Sequence, residues 1–202
     1  MPNSTGRLVV AITGASGAPY AVKFLQEAAK LYREVYVMVT EQALQVIGVE
    51  TGRGVSSDKL TCEALLGENF PSIKFADRRN FFTPPASGSY RHDGMVIVPC
   101  SMGTASRIAA GTSDDLITRA ADVCLKERRR LILVPRETPL NLIHLRNMVT
   151  LAEAGATILP AAPAFYHNPK SIDDLVDFVV ARILQQLDAP HSLVAEWQVD
   201  RQ

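Results

Sequence analysis

The chain carries no net charge: 21 lysines and arginines balance 21 aspartates and glutamates over 202 residues. That balance excludes the long basic footprint of a nucleic-acid or membrane-surface protein, so any anion site has to be local. Cysteine is scarce as well. Cys62, Cys100 and Cys124 are odd in number and widely spaced with no C-x-x-C pair, which argues against a disulfide framework and against zinc, and fits a reducing compartment. The four histidines, His92, His144, His167 and His191, show no metal-ligand spacing and no partnered nucleophile, so no metal is expected. No apolar run approaches the ~18 residues of a membrane-spanning helix, and Met1 to Arg7 lacks the apolar core of a signal peptide. A soluble cytoplasmic protein is the expectation. A full G-x-G-x-x-G is also missing, as is an acidic residue at the end of the second strand to hold a ribose, and both absences disfavour a nicotinamide dinucleotide.

What is present is a chain 47% hydrophobic, long enough for one well-buried core and short for two. A single domain is expected over 1–202, with a core of about 7–187 and a polar tail, 188–202, anchored by Trp197. The aliphatic run Leu8 to Ile12 reads as a parallel strand covered on both faces. It passes at once into Gly14-Ala15-Ser16-Gly17 and a helix from Ala18 to Leu31, with apolar residues at Ala21, Val22, Leu25, Ala28 and Ala29. The turn offers a hydroxyl and the free N–H groups of a helix start, and an anion would be stabilised there; an empty tight turn is the other reading.

Strand and helix then alternate. Glu34 to Thr40 is a second strand, Thr40 caps a helix through Ile47, and Val49 to Ser57 is a loop with Glu50 at its start. A short helix over Asp58 to Leu66 and a short strand over Ser72 to Phe75 precede a long polar loop, Arg78 to His92. Met95 to Cys100 is a strand ending in the small-residue turn Ser101-Met102-Gly103-Thr104, before a helix from Ala105 to Ala110. Asp114 to Arg128 is helical, Leu131 to Pro135 is a strand, and Thr138-Pro139 reads as an N-cap and first residue of a helix toward Ala154. Ala156 to Pro160 is a last strand, and Ser171 caps a last helix through about Leu187. This alternation implies a three-layer α/β fold, a doubly wound parallel sheet, whose ligands sit outside the carboxyl ends of the strands.

Several charged residues fall where an anion would be held. Arg119 and Lys126 lie about two turns apart on one helix face, Arg136 directly follows a strand, and Arg182 interrupts the apolar stretch of Val179, Val180 and Ile183. Together Arg119, Arg136 and Arg182 favour phosphate binding, while Arg128-Arg129-Arg130 read as a solvated helix terminus. Glu50 and Glu137 are candidate acid–base groups; Glu137 is equally readable as the acidic companion of a helix N-terminus. Tyr166 and Lys170 stand in a Y-x-x-x-K spacing, but Pro169 breaks the helical turn that a dehydrogenase pair needs.

Four motifs in order, Gly14-Ala15-Ser16-Gly17-Ala18, Pro99-Cys100-Ser101-Met102-Gly103-Thr104, Arg119 to Glu127, and Val134-Pro135-Arg136-Glu137-Thr138-Pro139-Leu140, span nearly the whole chain. They strongly resemble the UbiX-type flavin prenyltransferases, formerly labelled aromatic-acid decarboxylases. The resemblance implies a flavodoxin-like or Rossmann-like subunit that joins a dimethylallyl group from dimethylallyl phosphate to N5 and C6 of reduced FMN. The product, prenylated FMN, then serves a UbiD-type decarboxylase. By motif, Gly14, Ala15, Ser16, Thr40, Ser101, Met102, Gly103, Thr104 and Arg119 would hold FMN, with Arg136 touching both ligands. Lys126, Arg136, Tyr166 and Arg182 would hold the donor's phosphate with help from Ser16, and Glu50 and Glu137 would handle protons. No metal is implied, and the resemblance implies a homododecamer with sites shared between subunits. Two rivals are a flavin-dependent cysteine decarboxylase of the same fold and a non-catalytic flavodoxin-like electron carrier. The first would need a catalytic histidine well before the fourth strand; the second tends to be acidic and needs no arginine–lysine cluster.

Overall fold

In the computed structural model, which describes residues 5–194, six strands form one sheet in the order β3-β2-β1-β4-β5-β6. They are β1 (Arg7–Ile12), β2 (Glu34–Val39), β3 (Ile73–Phe75), β4 (Met95–Cys100), β5 (Leu131–Pro135) and β6 (Thr157–Ile158), and every neighbouring pair is parallel. The helices between and after them are α1 (Ala18–Leu31), α2 (Glu41–Thr51), α3 (Cys62–Leu66), α4 (Met102–Ala109), α5 (Leu116–Lys126), α6 (Leu142–Glu153) and α7 (Ile172–Gln186). Strand order reverses between β1 and β4, and a doubly wound sheet opens its ligand crevice at that point.

Alternation along the strands builds the three layers. Leu8, Val10 and Ile12 point into a core shared with α1, α2, α3 and α7. Val9 and Ala11 point the other way, into a core shared with α4, α5 and Leu151 of α6. Both sides are covered, so apart from Arg7 at the start of β1 the strands β1, β4 and β5 hold only buried apolar residues.

The structure changes several expected boundaries. α2 continues to Thr51 and ends on Gly52 in the left-handed region, so Glu50 lies in the helix's last turn and not in a loop. Ser101 is the N-cap of α4 and Met102 to Thr104 form its first turn, where a separate turn is expected from the small residues. Thr138-Pro139 forms a cis peptide and caps nothing; Asn141 caps α6, accepting the His144 N–H at 2.9 Å. The expected helix over 58–66 divides into a 3-10 turn, Ser57–Lys59, and α3, capped by Thr61. β6 is a two-residue strand, shorter than the run Ala156 to Pro160. Trp197, the expected anchor of the tail, lies outside the described residues.

Candidate active site

The crevice between β1 and β4 is stitched by a residue the motif reading passed over. Thr13, 1% exposed at the end of β1, donates its hydroxyl to the Pro99 carbonyl at 3.0 Å and accepts the Ser101 N–H at 2.7 Å. A hydroxyl at the end of an aliphatic strand was the sequence signal for it. Ser101 then caps α4, its hydroxyl accepting the Thr104 N–H at 3.3 Å and donating to Thr104 Oγ1 at 3.0 Å. The N–H groups of Met102 and Gly103, in the first turn of an eight-residue helix, have no carbonyl partner within it, and a Cβ on Gly103 would meet nothing within 4 Å. This helix start opens onto free space, as an anion or a flavin edge requires. Thr40, 7% exposed at the end of β2, caps α2 by accepting the Ala43 N–H at 3.1 Å.

The Gly14 to Gly17 turn closes the near side. Gly14 is packed on α2, where a Cβ would sit 2.5 Å from Gln42 Cβ. Gly17 is the N-cap of α1 at φ 121°, a conformation other residues avoid, and has no side chain to cap with. Glu50 supplies the cap from α2: its Oε2 accepts the N–H groups of Gly17 at 2.9 Å and Ala18 at 2.7 Å. Burial pushes the Glu50 carboxyl up, but the Ser16 hydroxyl, the two backbone N–H groups and the nearby Arg136 guanidinium outweigh it and hold the group below its ordinary value. Arg136, half-buried directly after β5, makes no hydrogen bond or ion pair among the described residues. Tyr20 belongs to the same cluster, with a hydroxyl raised by burial, lowered by Arg136 and raised again by Glu50. Ser16, Tyr20, Glu50 and Arg136 therefore share one electrostatic environment at the carboxyl edge of the sheet.

A protein-family model described as Flavoprotein matches residues 2–184. The flavin prenyltransferase UbiX of Halalkalibacterium halodurans is 47% identical over 196 residues, covering 97% of this chain and 95% of that protein. The chain belongs to the UbiX family of flavin prenyltransferases. Among solved structures, AnUbiX (PadA1) in complex with FMN and dimethylallyl pyrophosphate superposes with a TM-score of 0.85 at 43% identity, over 95% of this chain and 97% of that one. The dodecameric FMN-dependent UbiX-like decarboxylase of Escherichia coli O157:H7 gives a TM-score of 0.84 at 40% identity, over 95% and 99%.

Against that family background, the remaining predicted residues do not all gather in one place within the chain. Arg119 is on α5 and Arg182 on α7, helices that cover opposite faces of the sheet. The expected convergence of Arg119, Arg136 and Arg182 within the chain is therefore corrected. Arg119 donates from Nε to the Ala86 carbonyl at 3.1 Å and pairs with Asp122 at 2.8 Å. Lys126 stands at the end of α5, just before β5 begins, and so lies toward the amino edge of the sheet, paired with Glu127 at 2.5 Å. Arg182 does not interrupt the apolar face: it is exposed while Val179, Val180, Ala181 and Ile183 are buried, and it donates to Gln185. It borders a groove of about 340 Å³ with Leu159, Ala162 and Phe178 between β6 and α7. Tyr166 is 55% exposed, its ring 5.8 Å from Phe178, in the segment before α7. Glu137 is exposed beyond β5 and accepts the Thr138 N–H at 3.0 Å. The arginine run is not simply solvated: Arg129 donates to the carbonyls of Gly88 and Tyr90, and Arg130 pairs with Asp188.

Proposed function

We propose that this chain is a flavin prenyltransferase that joins the dimethylallyl group of dimethylallyl phosphate to N5 and C6 of reduced FMN, with inorganic phosphate leaving. The observation that carries the reading is Arg136, a half-buried cation that makes no hydrogen bond or ion pair among the described residues, beside the ionised Glu50 and an open helix start. In this reading Gly14, Ala15, Ser16, Thr40, Ser101 to Thr104 and Arg119 hold FMN. Lys126, Arg136, Tyr166 and Arg182 hold the donor's phosphate, and as the allylic C–O bond breaks their charges and hydroxyl stabilise the electron pair that the phosphate carries away. When bound, reduced FMN supplies the electron-rich N5 and C6 to which the five-carbon unit is joined. Glu50, ionised and linked to the Ser16 hydroxyl, accepts a proton at Oε1, the oxygen less tightly held by backbone N–H groups, and Glu137 is the second proton carrier. No metal takes part in this scheme.

The placement of Arg119 and Arg182 on opposite faces of the sheet, and of Lys126 and Arg136 at its opposite edges, supports an assembly in which copies of the chain complete each other's sites, a homododecamer as in the Escherichia coli relative. The proposed setting is cytoplasmic, and the product's proposed recipient is a UbiD-type decarboxylase. Among the described residues no helix is long and apolar enough to cross a membrane. The cysteine-decarboxylase alternative is disfavoured by His92, which is 6% exposed before β4 with its Nδ1 bonded to the Gly94 carbonyl at 3.0 Å. It does not face the carboxyl-edge crevice. The test is anaerobic incubation with reduced FMN and dimethylallyl phosphate, followed by mass spectrometry of the flavin. A gain of one five-carbon unit is expected; an unchanged flavin mass refutes the reading, and a parallel reaction with dimethylallyl pyrophosphate defines the donor.

A further inference from the structure

The loop joining β3 to β4 is strapped by arginines onto α5 and the short connection that follows it. Arg119 Nε donates to the Ala86 carbonyl at 3.1 Å, and Arg129 donates to the Tyr90 carbonyl at 2.7 Å through Nη1 and to the Gly88 carbonyl through Nη2. The far end of the loop is fixed independently. Tyr90 donates its hydroxyl to Glu34 at 2.8 Å, carries the Arg7 guanidinium over its ring at 5.1 Å and meets Tyr36 edge-on at 5.7 Å. Between these anchors Gly88 lies directly on the ion pair of Lys126 and Glu127. A Cβ at position 88 would fall 3.0 Å from Lys126 Nζ and closer still to Glu127 Oε1. Gly88 is not one of the glycines in the left-handed region, so the space it leaves, and not its backbone angle, is what the site uses.

An exposed lysine has a long, freely rotating stem, and ordering it is a cost that a phosphate ligand would otherwise bear. Here the ammonium is held on one side by Glu127 and on another by a bare Cα whose carbonyl is clamped. We propose that Gly88 and Arg129 are positioning residues for Lys126: the strapped loop sets the ammonium where it meets the phosphate of the prenyl donor. This rests on the reading above that Lys126 binds that phosphate.

The test uses the full chain and compares wild type with G88A, R129M and R129K. The atoms an alanine Cβ meets are ends of flexible side chains, so G88A displaces the Lys126–Glu127 pair while leaving thermal stability nearly unchanged. The expected result is a rise of about tenfold in KM for dimethylallyl phosphate and in the dissociation constant of inorganic phosphate measured by calorimetry, with kcat and FMN affinity held. R129M moves both constants in the same direction, and R129K, which restores one carbonyl contact, lies between. Unchanged donor KM and phosphate affinity in G88A and R129M overturn the proposal. So does a parallel fall in FMN affinity, kcat and melting temperature, which marks a merely structural loop. The phosphate measurement needs no turnover, so a wild type that fails to prenylate FMN refutes the proposed function while the positioning role is still read from phosphate affinity.

Discussion

Glu50 Oε2 accepts the Ala18 N–H at 2.7 Å, so the last turn of α2 caps the first turn of α1. Gly17 occupies the cap position for its backbone angle and leaves the cap's hydrogen bonds to be made by another element. One carboxylate therefore serves both the fold and the proposed chemistry, and its substitution has two readouts. Glu50→Ala is expected to cost about 1 kcal/mol in urea unfolding, as loss of a helix cap does. Because the folded state holds Glu50 below its ordinary value, that contribution is complete above the ordinary carboxylate range and disappears as pH falls through the folded value. The wild-type and Glu50→Ala stabilities should therefore converge in acid. A difference that is constant from neutral pH down into that range would remove the cap assignment.

His92 makes a second pH-dependent contribution. Its Nδ1 faces the Gly94 carbonyl at 3.0 Å, which can only accept, so Nδ1 carries the proton and Nε2 faces Cys124 Sγ at 3.9 Å as an acceptor. Burial lowers its pKa, against the Gly94 carbonyl, which raises it. The unfolded chain thus binds a proton more readily than the folded one, and stability present above about pH 6.5 is lost as pH falls through the folded value. His92→Gln should flatten the stability profile between pH 7.5 and pH 5.5, measured by chemical denaturation. An equally steep profile in the variant would assign the acid sensitivity elsewhere.

The outer face of α6 carries Leu142, Ile143, Leu145 and Val149, all exposed, and Leu151 is the helix's one buried residue. Such a contiguous apolar face on one subunit is the kind of surface a second copy covers. Burying an isoleucine or valine contributes on the order of 2 kcal/mol, so a double Ile143→Asp, Val149→Asp change should shift the proposed assembly to a smaller species in light scattering. An unchanged mass would show that α6 takes no part in it.

Much of this was legible along the chain. Both ends of α1 and of β4 coincide with the expected ones, because an aliphatic run bounded by glycine or proline leaves little choice of boundary. Thr40 and Ser171 were readable as caps because capping is a contact between neighbours in sequence. Two expectations differ from the structure because a second local signal decides there, a later cap in one case and the helical period in the other. Thr138-Pro139 has the residue types of a helix start, yet the helix begins after Asn141. Arg182 stands among buried residues in sequence, yet the helical period turns it outward.

The candidate site divides along the same line. Its residue types, two small-residue stretches after strands, an arginine after a strand and two carboxylates, were written in the sequence, since each depends on chemistry carried by a short motif. Which of them meet was decided only by the tertiary structure. Glu50 reaches Gly17 across two elements, Tyr20 joins Arg136 without belonging to any motif, and Lys126 rests on a loop glycine from another part of the chain. Sheet order and helix packing bring such pairs together, and neither is a property of sequence neighbours.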